Sequence, residues 1–125
     1  INSVNVQVPI YNGTDEFNLD RGAGRVKGMA RMDGNGHLAI SGHRDGFFRN
    51  LKDIEVGDDV LIQTPEGVVT YTVDHIRVVP KEDISVLRTE ADDMLTLITC
   101  YPFYFQGHAP ERYIVTAYPK PLVLD

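Results

Sequence analysis

Alternation of apolar and polar residues along short runs is the feature that most restricts what this chain can form. Successive side chains of a β-strand point to opposite faces of a sheet, so a period of two predicts half-buried strands. We predict strands at residues 4–11, 37–41, 59–64, 68–79, 94–99 and 113–118. The tripeptide Pro65-Glu66-Gly67 lies between two of these runs and predicts a hairpin turn.

Helical signals are few and short. Thr14 or Asp15 is placed to cap a short helix that ends at Gly22, and residues 47–51 and 82–87 are predicted to form two others. Many strands joined by short irregular links favour a closed barrel or a sandwich, and a barrel leaves no exposed sheet edge. The fold class predicted from the pattern is therefore mainly β.

Length and charge narrow the classes of protein further. A chain of 125 residues has the usual size of one domain, which we expect to span residues 1–125. The formal net charge is −6, and the 12 Lys and Arg residues are scattered singly, which excludes a binder that tracks nucleic-acid phosphates. No apolar run approaches the roughly 18 residues that cross a bilayer.

Cys100 is the only cysteine and cannot form an intramolecular disulfide. A lone cysteine is commonly a small buried hydrophobe. In the run from Leu95 to Cys100, however, alternation puts Leu95 and Leu97 on one face and Cys100 on the other, with Thr96 and Ile98. Cys100 also lies at the end of its strand, where reactive groups are often found.

Cleavage of an amide by a thiol requires three chemical functions. The thiolate attacks, a donor stabilises the oxyanion, and an acid protonates the departing amine. A free thiol has a pKa near about 8.5, so nearby positive charge is needed to enrich the thiolate at neutral pH. Cysteine, histidine and arginine together supply these functions.

Of the four histidines, His43 is the strongest candidate for the acid. It follows an apolar strand and is flanked by Gly42 and Gly46, which permit tight turning. His37 begins the same strand about 20 Å away, too far to share the chemistry. His75 is in the middle of a strand, where a structural or surface role is expected, and His108 is a second candidate for contact with substrate.

Arg112 opens the last predicted strand and is the candidate for the oxyanion donor. Its guanidinium is permanently charged and carries five N–H donors. The alternative is a surface arginine paired with Glu111 or Asp45. Spacing alone favours the surface arginine.

The segments around these residues resemble motifs of the sortase family. The run Thr96-Leu97-Ile98-Thr99-Cys100 is similar to the TLxTC motif, residues 35–45 to the histidine segment, and Pro110-Glu111-Arg112-Tyr113-Ile114-Val115 to the arginine-bearing last strand. The similarity runs from Val8 to Tyr118 and keeps the order His, Cys, Arg. The aromatic run after Cys100, which begins Tyr101-Pro102-Phe103-Tyr104, looks most like class D.

This resemblance implies a closed eight-stranded β-barrel with a few short helices, if short strands near Val26 and after Pro80 are counted. It implies a cysteine transpeptidase in which Cys100 cleaves an LPxTG-like sorting motif and forms a thioester. His43 then shuttles the proton, and Arg112 holds the oxyanion or a substrate carbonyl. The acyl group passes to an amine, either of a cell-wall peptide or of a protein lysine, in surface-protein anchoring or pilin linkage.

The resemblance also implies the partners and the location. We expect the substrate to be a sorting-signal peptide of a secreted protein. We expect the enzyme to act at the extracytoplasmic face of a bacterial membrane, with any anchor preceding Ile1. No nucleic acid or cofactor is expected. No metal is expected either, because the acidic pairs Asp58-Asp59 and Asp92-Asp93 are typical of solvent-facing positions. Possible substrate contacts are His108, Tyr101, Phe103 and Tyr104, although the aromatic rings are equally suited to covering the core.

Two other functions fit the same residues. A cysteine peptidase would hydrolyse the thioester with water, and it needs the same three side chains. A noncatalytic β-barrel binding module would keep the fold with an idle cysteine. Loss of one of the three residues would mark such a module, and none is lost.

Overall fold

The computed structural model describes residues 1–29, 36–44, 46, 48–83, 85–87, 93–103 and 109–120. These residues form seven strands and one short α-helix. The elements are β1 (Ile10–Asn12), α1 (Glu16–Leu19), β2 (Ala23–Arg25), β3 (His37–Ser41), β4 (Asp59–Thr64), β5 (Gly67–Pro80), β6 (Met94–Tyr101) and β7 (Glu111–Pro119). Short 3-10 helices lie at Asn2–Val4, Arg49–Asp53 and Ser85–Leu87.

The strands form one curled sheet in the order β1-β2-β3-β6-β7-β5-β4. Pairing is parallel between β1 and β2 and between β3 and β6, and antiparallel at the other contacts. Thr64 lies opposite Gly67, so the predicted hairpin is confirmed, with Pro65 and Glu66 at its turn. The mainly β class is confirmed, and the predicted bounds of β3 and β4 match the structure.

The first predicted strand, residues 4–11, is shorter than expected. Asn5 has a left-handed backbone with φ of 56°, which ends the 3-10 helix at Val4 and interrupts an extended chain. Regular pairing begins only at Ile10, one residue after Pro9, which has no N–H to donate. Val4 and Val6 are still buried in the core.

Two smaller expectations have different outcomes. The strand expected near Val26 is present as β2. After Pro80, the described residues 81–83 and 85–87 form a turn and a 3-10 helix rather than a strand. The Asp83 carboxylate accepts a hydrogen bond from the Ser85 amide at 2.9 Å and begins this helix.

The core lies on one face of the sheet, called here the inner face. It is built from alternate residues of neighbouring strands, among them Leu38, Ile40, Leu95, Leu97 and Val115. The opposite, outer face carries a smaller apolar cluster of Val79 and Ile114, with Ile98 packed against it. The alternation in β6 therefore separates Leu95 and Leu97 from Ile98, as predicted.

A cavity of about 380 Å³, lined by both apolar and polar residues, lies within the curl of the sheet. Ile10 of β1 and the β4 residues Val60 and Ile62 line it, so it lies between the two edge strands. Cys100, His43 and Arg112 are not among its lining residues. The cavity therefore belongs to the inner face and not to the predicted site.

Candidate active site

Cys100 lies on β6 directly opposite Arg112 on β7. Directly opposed residues of an antiparallel pair project to the same face, with their Cβ atoms about 5 Å apart. Ile98 and Ile114 form the preceding outer-face pair, so Cys100 and Arg112 share that face. The thiol is half-buried and free of any disulfide.

His43 follows β3, the parallel neighbour of β6. Ser41 lies opposite Ile98, and the Gly42 amide donates to the Ile98 carbonyl oxygen at 3.1 Å. His43 is two residues beyond Ser41, and Cys100 is two residues beyond Ile98. Because parallel strands end at the same edge of a sheet, the pairing of β3 with β6 brings His43 and Cys100 to the same edge.

The turn that carries His43 packs tightly against Phe48. A Cβ atom on Gly42 would lie 2.7 Å from two ring atoms of Phe48, a distance that side chains essentially never adopt. The His43 carbonyl oxygen accepts hydrogen bonds from the amides of Gly46 at 3.2 Å and Phe48 at 3.3 Å. Glycine at position 42 thus allows the buried Phe48 ring to hold the backbone immediately before His43.

The His43 ring meets two carboxylates on α1. Its Nε2 atom lies 3.4 Å from Glu16 Oε2 and 3.9 Å from Asp20 Oδ1. The His43 side chain is 33% exposed, whereas those of Glu16 and Asp20 are 79% and 67% exposed. Residues at i and i+4 of a helix project from the same side, which explains why both reach one ring.

Two side chains hold α1 in place. Asp15 caps the helix, and its Oδ1 accepts a hydrogen bond from the Asn18 amide at 2.9 Å. The Asn18 side-chain amide donates to the carbonyl oxygens of Asn12 at 3.1 Å and Gly13 at 3.2 Å. The capping role predicted for Asp15 is confirmed, although the helix ends at Leu19 and not at Gly22.

The sequence did not identify these two carboxylates as part of the site. The signal was present as two acidic residues four apart behind a capping Asp15, but it did not reveal which surface α1 would face. Donor atoms of Glu16, Asp20 and His43 lie within 4.8 Å of one another, the spacing of a possible metal ligand set. The expectation that no metal is bound stays a prediction.

The Arg112 guanidinium is anchored by the main chain. Its Nη1 atom donates to the carbonyl oxygens of Ala109 at 3.1 Å and Glu111 at 2.9 Å. Its contact with Glu111 is to the backbone and not to the carboxylate, and Asp45, the other partner considered, lies outside the described residues. Two backbone acceptors on one nitrogen orient the planar group.

The aromatic residues after Cys100 pack on the inner face. Tyr101 stacks on Tyr113 with ring centroids 6.0 Å apart, and Phe103 meets Tyr113 edge to face at 5.1 Å. Burial, the nearby phenol of Tyr101 and the charge of Asp53 raise the pKa of Tyr113 above its usual value. Tyr101 and Phe103 thus contribute to core packing.

The remaining predicted residues are placed as follows. His37 is buried, and its Nε2 is hydrogen-bonded to the Thr96 hydroxyl at 2.6 Å, which is a structural role. His75 is exposed and pairs with Asp74 at 2.9 Å. Tyr104 and His108 lie outside the described residues.

The chain matches the family model of the sortase domain over residues 1–120. The chain belongs to the sortase family. Its fold agrees with solved sortases: a complex of Streptococcus agalactiae sortase C1 and MTSET superposes with a TM-score of 0.90 at 31% identity, covering 100% of this chain and 67% of that one. A Clostridium perfringens sortase D5 transpeptidase gives a TM-score of 0.86 at 28% identity, covering 97% of this chain and 76% of that one.

Curated sortases match as well. Sortase D of Bacillus subtilis (strain 168) is 38% identical over 116 residues, which is 92% of this chain and 59% of the relative. Sortase A of Listeria monocytogenes is 30% identical over 102 residues, which is 78% of this chain and 46% of the relative. The sortase chain described here thus spans about half the length of these curated relatives.

The family resemblance inferred from the motifs is therefore confirmed, and the higher identity to a sortase D agrees with the likeness to class D. Sortases are cysteine transpeptidases that act on sorting signals of surface proteins at the cell surface of Gram-positive bacteria. In the described part of this sortase, no helix is long and apolar enough to cross a membrane.

Proposed function

We propose that residues 1–125 form a sortase catalytic domain that cleaves an LPxTG-like sorting motif through a thioester on Cys100. The acyl group then passes to an amine for surface-protein anchoring or pilin linkage. The observation that carries this proposal is the direct cross-strand pairing of Cys100 with Arg112, with His43 at the adjoining end of β3. This arrangement supports the assignment of all three chemical roles to residues at one edge of the sheet.

In the acylation step, the Cys100 thiolate attacks the carbonyl carbon of the scissile amide. A C–S bond forms, and the carbonyl electrons move to the oxygen. When the oxyanion collapses, the C–N bond breaks and His43 gives its proton to the departing amine. The products are a thioester on Cys100 and a free amine on the released peptide.

In the second step, the acceptor amine attacks the thioester and gives a proton to His43. The C–S bond breaks, a new amide forms, and the Cys100 thiolate is restored. One histidine is therefore acid in the first step and base in the second. The acceptor is an amine of a cell-wall peptide or a protein lysine.

Arg112 stabilises the oxyanion or a neighbouring substrate carbonyl. Its Nη1 atom is committed to two backbone carbonyls, which leaves the Nε and Nη2 hydrogens for a substrate oxygen. An oriented donor pays little reorganisation cost when the charge develops. Tyr104 and His108, which lie between β6 and β7 in the sequence, are proposed to contact the sorting peptide, and the half-buried Tyr101 and Phe103 to border it.

We also propose that the working domain is a closed eight-stranded barrel. An eighth strand between β1 and β4 would close the curl of the sheet and cover the cavity that lies there. The family's action at the cell surface supports work at the extracytoplasmic face of the membrane. A sorting-signal peptide of a secreted protein is then the natural substrate.

Mass spectrometry of the intact protein tests the proposed function. After mixing with a panel of sorting peptides, we expect an acyl adduct on Cys100 that is absent in Cys100→Ala. Arg112→Lys keeps the charge but loses the fork of donors, and we expect acylation to slow by roughly a hundredfold. Arg77→Lys, an exposed change on β5, is the matched control and should acylate at the rate of the unmodified chain.

The outcomes also separate the alternative functions. A transpeptidase forms a ligated product when an amine is added, whereas a peptidase releases only the hydrolysed acid with or without the amine. A noncatalytic module binds a peptide but never forms the adduct. Absence of an adduct across the whole panel would overturn the proposed function.

A further inference from the structure

The two carboxylates of α1 are the groups near His43 for which the proposed mechanism has no role. Glu16 Oε2 lies at ion-pair distance from His43 Nε2, and Asp20 Oδ1 lies slightly farther away, at 3.4 and 3.9 Å. Both contact the same ring nitrogen. Among the described residues, these are the side chains in ion-pair contact with His43.

The placement of α1 makes these contacts a property of the fold. Asn18, on the same helix, binds two backbone carbonyls of the chain that precedes it. At the other end, Gly22 packs so closely on Pro9 that an added Cβ would lie 2.4 Å from the Pro9 carbonyl oxygen. The helix is therefore attached on both sides, and its carboxylates face His43 from a defined position.

A histidine that delivers a proton must present the correct nitrogen to the leaving amine. A carboxylate at ion-pair distance from Nε2 favours one setting of the ring, and this setting leaves Nδ1 directed away from α1. The same carboxylate attracts the positive imidazolium, the form that gives up the proton. The orientation of the His43 ring is thus sensitive to α1.

We propose that Glu16, assisted by Asp20, is a positioning residue that orients the His43 ring for delivery of a proton to the departing amine. This inference rests on the proposed function, because it concerns the proton that His43 delivers in acylation. Glu16 acts through His43 and makes no bond to the substrate. Its effect should appear only where the leaving group needs a proton.

The test compares two substrates that carry the same acyl peptide. One is the natural amide, whose amine departs only when protonated. The other is a thioester, whose thiolate departs without a proton. The variants are Glu16→Gln, which keeps the shape and removes the charge, and Glu66→Gln, a matched control in the exposed turn between β4 and β5.

For Glu16→Gln, we expect acylation by the amide to slow by about threefold to tenfold, the range suited to an exposed ion pair. The KM for the amide and the rate with the thioester should stay within about twofold of the unmodified chain. Adding Asp20→Asn should slow the amide further, while Glu66→Gln should match the unmodified chain on both substrates. Raising the salt to about 1 M should narrow the gap between the unmodified chain and Glu16→Gln, because mobile ions screen exposed charges.

Two results would overturn the inference. One is an amide rate unchanged in both Glu16→Gln and the double variant. The other is an equal loss on the amide and the thioester, which would mean that Glu16 supports the structure of the site and not proton delivery. If the unmodified chain itself fails to cleave any amide, the proposed function fails first, so the two failures are distinguishable.

Discussion

Replacing Gly42 by alanine tests how the backbone positions His43. The added Cβ would lie 2.7 Å from the Phe48 ring, about 0.7 Å short of the 3.4 Å at which ordinary contact begins. Phe48 is 2% exposed, so the ring cannot move into solvent without losing its place in the core. The overlap must be absorbed by the ring, by the turn that carries His43, or by both.

The magnitude follows from these two responses. Forcing a methyl group into a packed core costs about 1–3 kcal/mol of unfolding free energy. If the turn shifts by a large part of an ångström, acylation of Cys100 should slow by roughly tenfold to a hundredfold. Stability is measured by urea unfolding followed by far-ultraviolet circular dichroism, and acylation by mass spectrometry of the intact chain.

Gly46→Ala is the matched control in the same turn. Its Cβ would lie 3.7 Å from the nearest atom, the His43 Cβ, which is an ordinary contact. The double variant Gly42→Ala with Phe48→Leu should be less destabilised than the sum of the single changes, because the smaller side chain relieves the overlap. If Gly42→Ala equals Gly46→Ala in both stability and acylation rate, the positioning of His43 by Phe48 is refuted.

Two further predictions concern residues outside the proposed catalytic site. Thr96→Val should cost about 1–3 kcal/mol of unfolding free energy, because buried His37 loses a hydrogen bond, whereas Thr96→Ser should restore most of it; urea unfolding measures both. The raised pKa of Tyr113 means that the folded chain keeps this proton at a pH where the unfolded chain loses it. Stability should therefore fall as the pH rises above about 10, the usual value. In urea unfolding across this range, Tyr113→Phe should show a smaller fall, and an identical fall would contradict the assignment.

Local patterns in the sequence predicted much of the sheet. The bounds of β3 and β4, the hairpin turn and the outer-face position of Cys100 follow from alternation and turn chemistry, which act between near neighbours. The first strand was overestimated because the left-handed conformation of Asn5 depends on backbone detail that alternation does not report. Short-range signals thus predicted the positions of the strands more accurately than the residues at which the strands begin and end.

The pairing of α1 with His43 could not be predicted in the same way. Glu16 and Asp20 are ordinary exposed acids in the sequence, and nothing nearby indicates which surface their helix will face. That surface depends on the pairing of β1 with β2 and of β2 with β3, contacts that alternation within one strand does not report. Family motifs identified Cys100, but they did not identify its neighbours on α1.

The separation of β3 from β6 along the chain bears on when the site becomes reactive during folding. The hydrogen bond between His37 and Thr96 on these strands joins residues 59 positions apart. Closing so long a loop costs more entropy than forming the nearby β6–β7 pair, so distant parallel pairing is intrinsically slow. A newly made chain should therefore bring Cys100 beside Arg112 before His43 arrives, and its thiol should gain peptide-cleaving power only after long-range folding is complete.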